Sequence, residues 1–397
     1  MLFQCIIRLP PLYQFVMSPG FSATINKNNP HGSGGVIARE FATLIEMMCA
    51  ASNSARDPRQ LRKVVASKYK EFADNKQHDA QEMIGAILDG LHEDLNRYHY
   101  DSDNFSPSTD NNPTMATISN SNCDNMLNNS MNPNINNNMN NDLNNGLNSC
   151  VINGVNKCSN STNSVMFGNM ENMNKINENE NQTMIRSRFS LTPRSRMYKS
   201  MNPTAPSSII EELFFGHLET KTICPNCEEV ETINDPFLFL SLPIPQNVVG
   251  EVPLESCVKK FICSGQLDEN NKWRCPKCNI NVCANQNMEI KFVSRILIIH
   301  LKRFVVLNGF SSKNDTKVVY PAKINISQIA PKCTGTYKLV SVVFHSGSLS
   351  QGHYTSAAVD PSTGKWYSFN DSYSKLASPN VIFSPRAYIL FYMRVEK

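Results

Sequence analysis

Two Cys-x-x-Cys units carry the plainest chemistry in this sequence: Cys224-Pro-Asn-Cys227 and Cys275-Pro-Lys-Cys278. The x-x spacing lets both thiolates of a pair point at one ion, and two such pairs complete a tetrahedral site for Zn²⁺. The pairs lie far apart in the chain, so the fold must bring them together, as at the tips of two hairpins. A closed four-thiolate site has no open position for substrate, which makes its role structural. Cys283, close to the second pair, is the first candidate for a substitute ligand, whereas Cys257 and Cys263 read as interior residues. The bland alternative, two unrelated turns with buried free thiols, requires the Cys-Pro-x-Cys form to recur by chance.

A second constellation stands near the C-terminal end, where Gly352-His353-Tyr354-Thr355 is followed by Lys365-Trp366-Tyr367-Ser368-Phe369-Asn370-Asp371-Ser372. The spacing suits adjacent antiparallel strands, with Thr363-Gly364 in the turn. Such a pairing sets Asn370 or Asp371 against the imidazole of His353, fixing its tautomer so that the other ring nitrogen acts as a base. A thiol needs such a base to become thiolate near neutral pH. Alone, a His-Tyr pair on a strand is more often structural than catalytic.

Apolar spacing indicates what positions these groups. Over residues 1–100 the pattern is helical: Ile37, Phe41, Leu44, Ile45 and Met48 share one face. Asp57-Pro58 reads as an N-cap followed by Pro at the first helical position, leading into Leu61, Val64, Val65, Tyr69 and Phe72. A third helix starts at Asp79, with Glu82 completing a capping box and Met83, Ile84, Ile87, Leu88, Leu91 and Leu95 as its apolar face. Residues 101–205 are dominated by Asn, with too few apolar side chains to offset the entropy of ordering them, so a disordered insertion is expected. Its Cys123, Cys150 and Cys158 have no partner spacing. From residue 206 onward the pattern is mainly β. Strands are predicted over Phe237–Pro243, Phe292–Val305, Tyr337–His345 and Ala387–Val395, with turns at Asp235-Pro236, Asn308-Gly309, Ser346-Gly347 and Thr363-Gly364. The ordered ends thus read as one domain split by an insertion.

Bulk composition sets limits. Of 397 residues 41% are apolar, enough for a sizeable core, and the net charge of +4 is too mild to argue for a nucleic-acid partner. The thirteen cysteines are too sparse for a secreted disulfide framework, which favours metal binding in a reducing compartment. No run is apolar and long enough to predict a membrane span, and Met1-Leu-Phe-Gln-Cys-Ile-Ile-Arg8 reads as part of a domain rather than a signal peptide.

In order along the chain, several blocks resemble the ubiquitin-specific protease family of cysteine deubiquitinases. They are Leu2-Phe-Gln-Cys5 with Pro10-Pro-Leu12, then Gln77-His-Asp-Ala-Gln-Glu82 continuing into Leu88–Leu95. Next come the two Cys-Pro-x-Cys units with Asp235–Pro243 between them, and then Ile299-His-Leu-Lys-Arg-Phe304. Tyr337–His345, Gly352-His-Tyr354 and Trp366–Asp371 complete the series. The resemblance covers nearly all of 1–100 and 209–397. It implies an α+β, papain-like hydrolase with a helical thumb, an antiparallel β palm and zinc-bearing β fingers that cradle ubiquitin. On the same resemblance His353 is the general base of a thiol protease, Asn370 the third triad position, and Asp371 an aid in orienting the ring or stabilising the oxyanion. Asp79 and Gln81 match positions that hold the Arg-containing tail of ubiquitin, although Asp79 also suits a helix cap, which uses one oxygen and leaves the other for Arg. His345, Gly352 and Tyr354 are expected beside the channel for the Gly-Gly end, and Leu301–Phe304 is read as core strand. Ubiquitin and ubiquitinated proteins are the implied partners, and the cytosol or nucleus the implied location.

The family's nucleophile stands seven residues before the Gln matched by Gln4, which falls before Met1. The oxyanion asparagine falls further upstream. Cys5, about two turns along the nucleophile's helix, and Cys49 are poor substitutes. Two expectations follow. Either this is part of an active thiol isopeptidase, or it is a ubiquitin-binding pseudoenzyme. The elaborate setting around His353 favours the first, and a plain zinc-ribbon module leaves the C-terminal blocks unexplained. A chain starting here is also expected to expose Leu2, Ile6 and Leu9 and to express poorly.

Overall fold

Helical spacing in the N-terminal part yields α1 (Leu2–Ile7), α2 (Pro10–Val16), α3 (Val36–Cys49), α4 (Arg59–Lys68) and α5 (Ala80–Asp94), with α6 (Ile209–Phe214) following later. This computed structural model describes residues 2–50, 55–97 and 206–395 apart from 75, 247, 263, 308–309 and 349–350. All of these fall in one unit, Met1–Tyr100 with Glu178–Lys397; the second unit, Asp101–Asn177, lies outside the described residues. The reading of 101–205 as an insertion, with Cys123, Cys150 and Cys158, and that of Cys263 therefore concern residues outside those described. Among the described residues no helix is long and apolar enough to cross a membrane.

The apolar face of α3 is buried at Ile37, Ala38, Phe41, Leu44 and Ile45. Asp79 caps α5, its carboxylate accepting from the Gln81 N–H at 2.7 Å. The α4 reading shifts by one residue. Pro58 is the N-cap, and Asp57 acts from outside, accepting from the Arg59 N–H at 2.9 Å.

Four strands, β1 (Gly216–Ile223), β2 (Val230–Phe237), β5 (Gly265–Gln266) and β8 (Asn285–Phe292), form a sheet in the order β2-β1-β8-β5. The larger sheet holds β3 (Phe239–Pro243), β9 (Ile296–Lys302), β13 (Lys323–Asn325), β14 (Thr336–Gly347), β15 (Gly352–Val359), β16 (Trp366–Asn370), β17 (Tyr373–Leu376) and β18 (Ala387–Arg394). Its order is β17-β16-β15-β14-β18-β9-β3, with β13 beside β14. Three small pairs complete the set: β4 (Val252–Pro253) with β12 (Val318–Val319), β6 (Trp273–Arg274) with β7 (Asn281–Val282), and β10 (Phe304–Leu307) with β11 (Phe310–Lys313).

Two sequence expectations are corrected here. Asp235-Pro236 is not a turn but the end of β2, an edge strand, where a missing N–H is tolerated. Phe292–Val305 is not one strand. The chain leaves one sheet after Phe292, enters the other at Ile296, and breaks again at Arg303. There the guanidinium, 1% exposed, donates to the carbonyls of Ala387, Asn314, Thr316 and Pro385 at 2.7–2.9 Å. Charge-assisted bonds to carbonyl dipoles offset the cost of burying that cation.

Strand alternation gives the large sheet a core on each face. Val343, Ile389 and Phe391 pack with the helices, while Val342, Leu390 and Tyr392 pack on the other side with the helix Leu254–Phe261. Against expectation, Ile6 and Leu9 are fully buried and Leu2 half-buried, because α1 lies on the large sheet. The Cys5 carbonyl accepts from Ser341 Oγ at 3.4 Å, and Arg8 pairs with Asp360 at 3.2 Å while its guanidinium lies 5.1 Å from the Phe369 ring centre. The last turn of α1 thus meets the end of β15, and its first turn points back toward Gly352 and His353.

Candidate active site and metal centre

The four paired cysteines converge. Their sulfurs all lie within 4.8 Å of one another, with Cys224 to Cys278 at 4.0 Å and Cys227 to Cys275 at 3.6 Å. Four thiolates about 2.3 Å from a tetrahedral ion stand about 3.8 Å apart, so this donor set could hold a metal ion. The two knuckles repeat one backbone design. Glu228 and Asn279, each just after its second cysteine, share φ 59, and their N–H groups donate to the Cys224 and Cys275 carbonyls at 3.1 and 2.8 Å. One knuckle lies between β1 and β2, and the other between β6 and β7. Cys283 is not among the four; its thiol donates to Glu269 Oε1 at 3.4 Å. Cys257 is fully buried, and burial pushes its thiol up to about 11.

His353 Nε2 and Asn370 Oδ1 are 2.7 Å apart, and both residues are exposed. Because Oδ1 only accepts, Nε2 carries the proton and Nδ1 of the neutral ring is left with a lone pair. The register explains the meeting. Ser356 pairs with Phe369, which sets Asn370 opposite Thr355 and on the same face as His353. Asp371 takes the first position of the tight β16–β17 turn, with φ 51.

On the opposite face of the β14–β15 hairpin, His345 pairs directly with Tyr354. Both line a cleft of about 280 Å³, together with Gln77, His78, Asp79, Glu82 and Phe304. The Asp79 carboxylate has its second oxygen engaged as well, by the Tyr388 hydroxyl, so no oxygen stands idle. Burial pushes that carboxyl up against the pull of the Tyr388 and Gln81 bonds. The Tyr354 hydroxyl accepts from the Ala80 N–H at 3.3 Å. His345 is 2% exposed, and burial, then the Lys313 charge, hold its imidazole down to about 4, so it is neutral at physiological pH.

Gly352 lies on the His345 face. A Cβ there would lie 2.1 Å from His345 Nε2, which excludes any other residue without movement. Its peptide is gripped on both sides by the Gln77 carboxamide, Nε2 donating to the Gly352 carbonyl at 2.5 Å and Oε1 accepting its N–H at 2.9 Å.

A family model described as ubiquitin carboxyl-terminal hydrolase matches residues 1–392. The chain belongs to that family. Ubiquitin carboxyl-terminal hydrolase 2 of Gallus gallus is 36% identical over 188 residues, covering 47% of this chain and 53% of the relative. The human protein of that name is 26% identical over 368 residues, 91% of this chain and 48% of the relative. Ubiquitin carboxyl-terminal hydrolase 4 of Vanderwaltozyma polyspora is 25% identical over 421 residues, 99% of this chain and 39% of the relative. The chain thus spans about half or less of the length of these relatives. A solved SAGA Ubp8/Sgf11/Sus1/Sgf73 DUB module bound to ubiquitin aldehyde superposes with TM-score 0.61 over 100% of this chain and 66% of that chain, at 19% identity, a likeness of fold. That fold is one of helices with mainly antiparallel sheets, β3 on β9 and β4 on β12 being parallel.

Within this unit the structure brings Asp79, His345 and Tyr354 to one cleft, Gly352 to its rim, and His353 with Asn370 to the opposite face. Gln81 gives its N–H to Asp79 and does not line the cleft. Sequence reasoning missed Gln77, His78, Glu82 and Tyr388, whereas Phe304, read as core strand, packs against the core and lines the cleft as well. Gln77, His78 and Glu82 stand inside the Gln77–Glu82 block, so their proximity to Asp79 was the available signal. For Tyr388 there was none. Cys5 is fully buried, its thiol donating weakly to the Val342 carbonyl at 3.8 Å and pushed by burial up to about 11. That is the opposite of an activated thiol.

Proposed function

We propose that the protein containing this chain is a deubiquitinase, hydrolysing isopeptide or peptide bonds at the C-terminal Gly of ubiquitin with a thiol carried by residues preceding α1. The observation that carries this is the course of α1. The matched nucleophile position lies eight residues before Cys5, about 12 Å further at 1.5 Å per helical residue. Cys5 packs beside Val342, the partner of Ala357, and the step back from Ala357 to His353 spans about 13 Å at 3.3 Å per strand residue. The two lengths agree, so a continued helix would bring its thiol to the His353 end of β15.

In this reading His353 Nδ1 takes the thiol proton, while the Nε2–H bond to Asn370 keeps the ring in the required tautomer. The thiolate adds to the Gly carbonyl, the protonated imidazole returns its proton to the leaving amine, and water then releases the acyl-enzyme. Asn370 contributes no charge, so the imidazolium is stabilised less than by a carboxylate. Asp79 and Glu82 give the cleft acidic character suited to an Arg-containing tail. The helices form the thumb, the large sheet the palm and the small sheet the fingers, whose knuckles Zn²⁺ would hold together through Cys224, Cys227, Cys275 and Cys278. Reduced thiols and ubiquitin fit the cytosol or nucleus.

One observation favours a second reading, a ubiquitin-binding protein without chemistry: neither Cys5, buried, nor Cys49, beside Tyr13, is bonded to His353. A ubiquitin C-terminal electrophile separates the two. Labelling of the chain extended by its upstream coding segment, lost on His353→Ala, supports the protease. Ubiquitin binding with no labelling of the extended chain supports the second reading.

A further inference from the structure

The face that carries His353 and Asn370 carries more than that pair. His353 pairs across β14–β15 with Ser346, whose hydroxyl accepts from Arg386 Nη1 at 3.0 Å. On the other side Asn370 pairs with Tyr373, and Lys375 follows on the same face of β17. A row therefore crosses five neighbouring strand ends, Arg386–Ser346–His353–Asn370–Tyr373, spanning roughly 19 Å at about 4.8 Å per strand.

Three features mark the row as a contact surface. Tyr373 is 79% exposed, an unusual state for an aromatic side chain, and stands directly beside Asn370. Arg386 and Lys375 are exposed and have no carboxylate partner among the described residues. The acid nearest in sequence, Asp371 in the β16–β17 turn, already has an interaction of its own. The balance of charge also differs across the β14–β15 hairpin: Asp79 and Glu82 line the cleft on one face, with Lys313 at its His345 end, and Arg386 and Lys375 stand on the other, with Asp371 in the turn between β16 and β17.

We infer that this row docks the polypeptide on the leaving side of the scissile bond, and that it selects an acidic segment flanking the modified lysine. The inference rests on the deubiquitinase reading, which puts ubiquitin's tail in the acidic cleft and leaves the cationic face for whatever the tail is joined to. Tyr373 would cover the aliphatic part of the lysine arm, while Arg386 and Lys375 would meet carboxylates on either side of it. Both cations are solvated, so the effect is one of selectivity rather than of tight binding.

The test titrates the full chain by calorimetry against ubiquitin alone, ubiquitin isopeptide-linked to a lysine flanked by Glu, and ubiquitin linked to a lysine flanked by Lys. The Glu conjugate is expected to bind about fivefold tighter than the Lys conjugate, with the gap closing as salt is raised. Substituting Arg386→Ala and Lys375→Ala together should remove the difference, and Arg386→Glu with Lys375→Glu should reverse it. Equal binding of both conjugates to the unaltered chain overturns the inference, as does a preference that survives the alanine pair in a variant with unchanged melting. The unlinked Glu peptide separates the two readings. If ubiquitin alone fails to bind while this peptide binds and is lost on the alanine pair, the tail cleft is misread and the acidic docking row stands. If neither the peptide nor either conjugate binds, both fall.

Discussion

At Cys224, Cys227, Cys275 and Cys278 four sulfurs gather within 4.8 Å, and each knuckle is closed by hydrogen bonds of its own backbone. At His353 and Asn370, by contrast, two exposed side chains share one bond across adjacent strands, and the groups that hold that end of the sheet come partly from elements distant in sequence. Gln77 reaches Gly352 from 275 residues away, and Arg8 reaches Asp360 from 352. The cluster is half-buried and closed, two locally formed knuckles brought together from about fifty residues apart, with no position for a substrate. The pair is open and set by the register of adjacent strands, and in the proposed reading it needs a third group to react. The proposed reading gives the first to stability and the second to chemistry, so each should fail differently when altered.

The largest expected effect is at the cluster. Cys275→Ser, or stripping a bound ion with a chelator, should lower the unfolding free energy by at least about 3 kcal/mol, read by urea titration alongside metal content. Unchanged stability and no metal would leave four ordinary thiols and break the comparison. Next comes acid sensitivity in the sheet that carries the His353–Asn370 pair. Burial holds His345 down to about 4 and His300 to about 3, below the ordinary 6.5. The unfolded chain then binds protons first. The stability these rings lend is full above about pH 6.5 and is lost as pH falls through that value toward 4 and then 3, by roughly 3 kcal/mol for His345. Comparing unfolding at neutral and mildly acid pH should show this slope, and His345→Gln should flatten it.

Gly352→Ala sharpens the contrast, because it drives a methyl to within 2.1 Å of His345 Nε2. A cost of about 1–3 kcal/mol is expected in thermal melts. The smallest stability effect belongs to Asn370→Ala, under about 0.5 kcal/mol since both partners are solvated. Yet turnover by the thiol-bearing protein should drop at least about tenfold as the imidazole loses its fixed tautomer. A destabilised but fully active variant would reverse the roles assigned to the two regions.

The same contrast governs what could be read from sequence. The knuckles were legible because a Cys-Pro-x-Cys unit fixes its own geometry, and the faces of α3 and α5 because helical period alone sets them. His353 and its choice of two partners were legible as a strand pair; the decision for Asn370 required the register of β15 on β16. Three-dimensional context defeated local signals elsewhere. Asp235-Pro236 carries turn chemistry yet ends a strand, because β2 is an edge. The apolar run from Phe292 looks continuous yet crosses between sheets, with Arg303 buried among carbonyls at its close. The Tyr388 bond to Asp79 has no sequence signal, and the place of Gln77 beside Asp79 does not reveal its grip on Gly352, since each depends on how helix and sheet meet.

Titration of this chain with ubiquitin, intact or trimmed of its C-terminal tail, tests the central claim most directly. Intact ubiquitin is expected to bind, and either trimming the tail or Asp79→Arg should weaken binding at least about tenfold, as loss of a charge-assisted contact implies. Equal affinity for the trimmed form, with Asp79→Arg folded and indifferent, would mean that the acidic cleft beside Tyr354 is not where the tail goes.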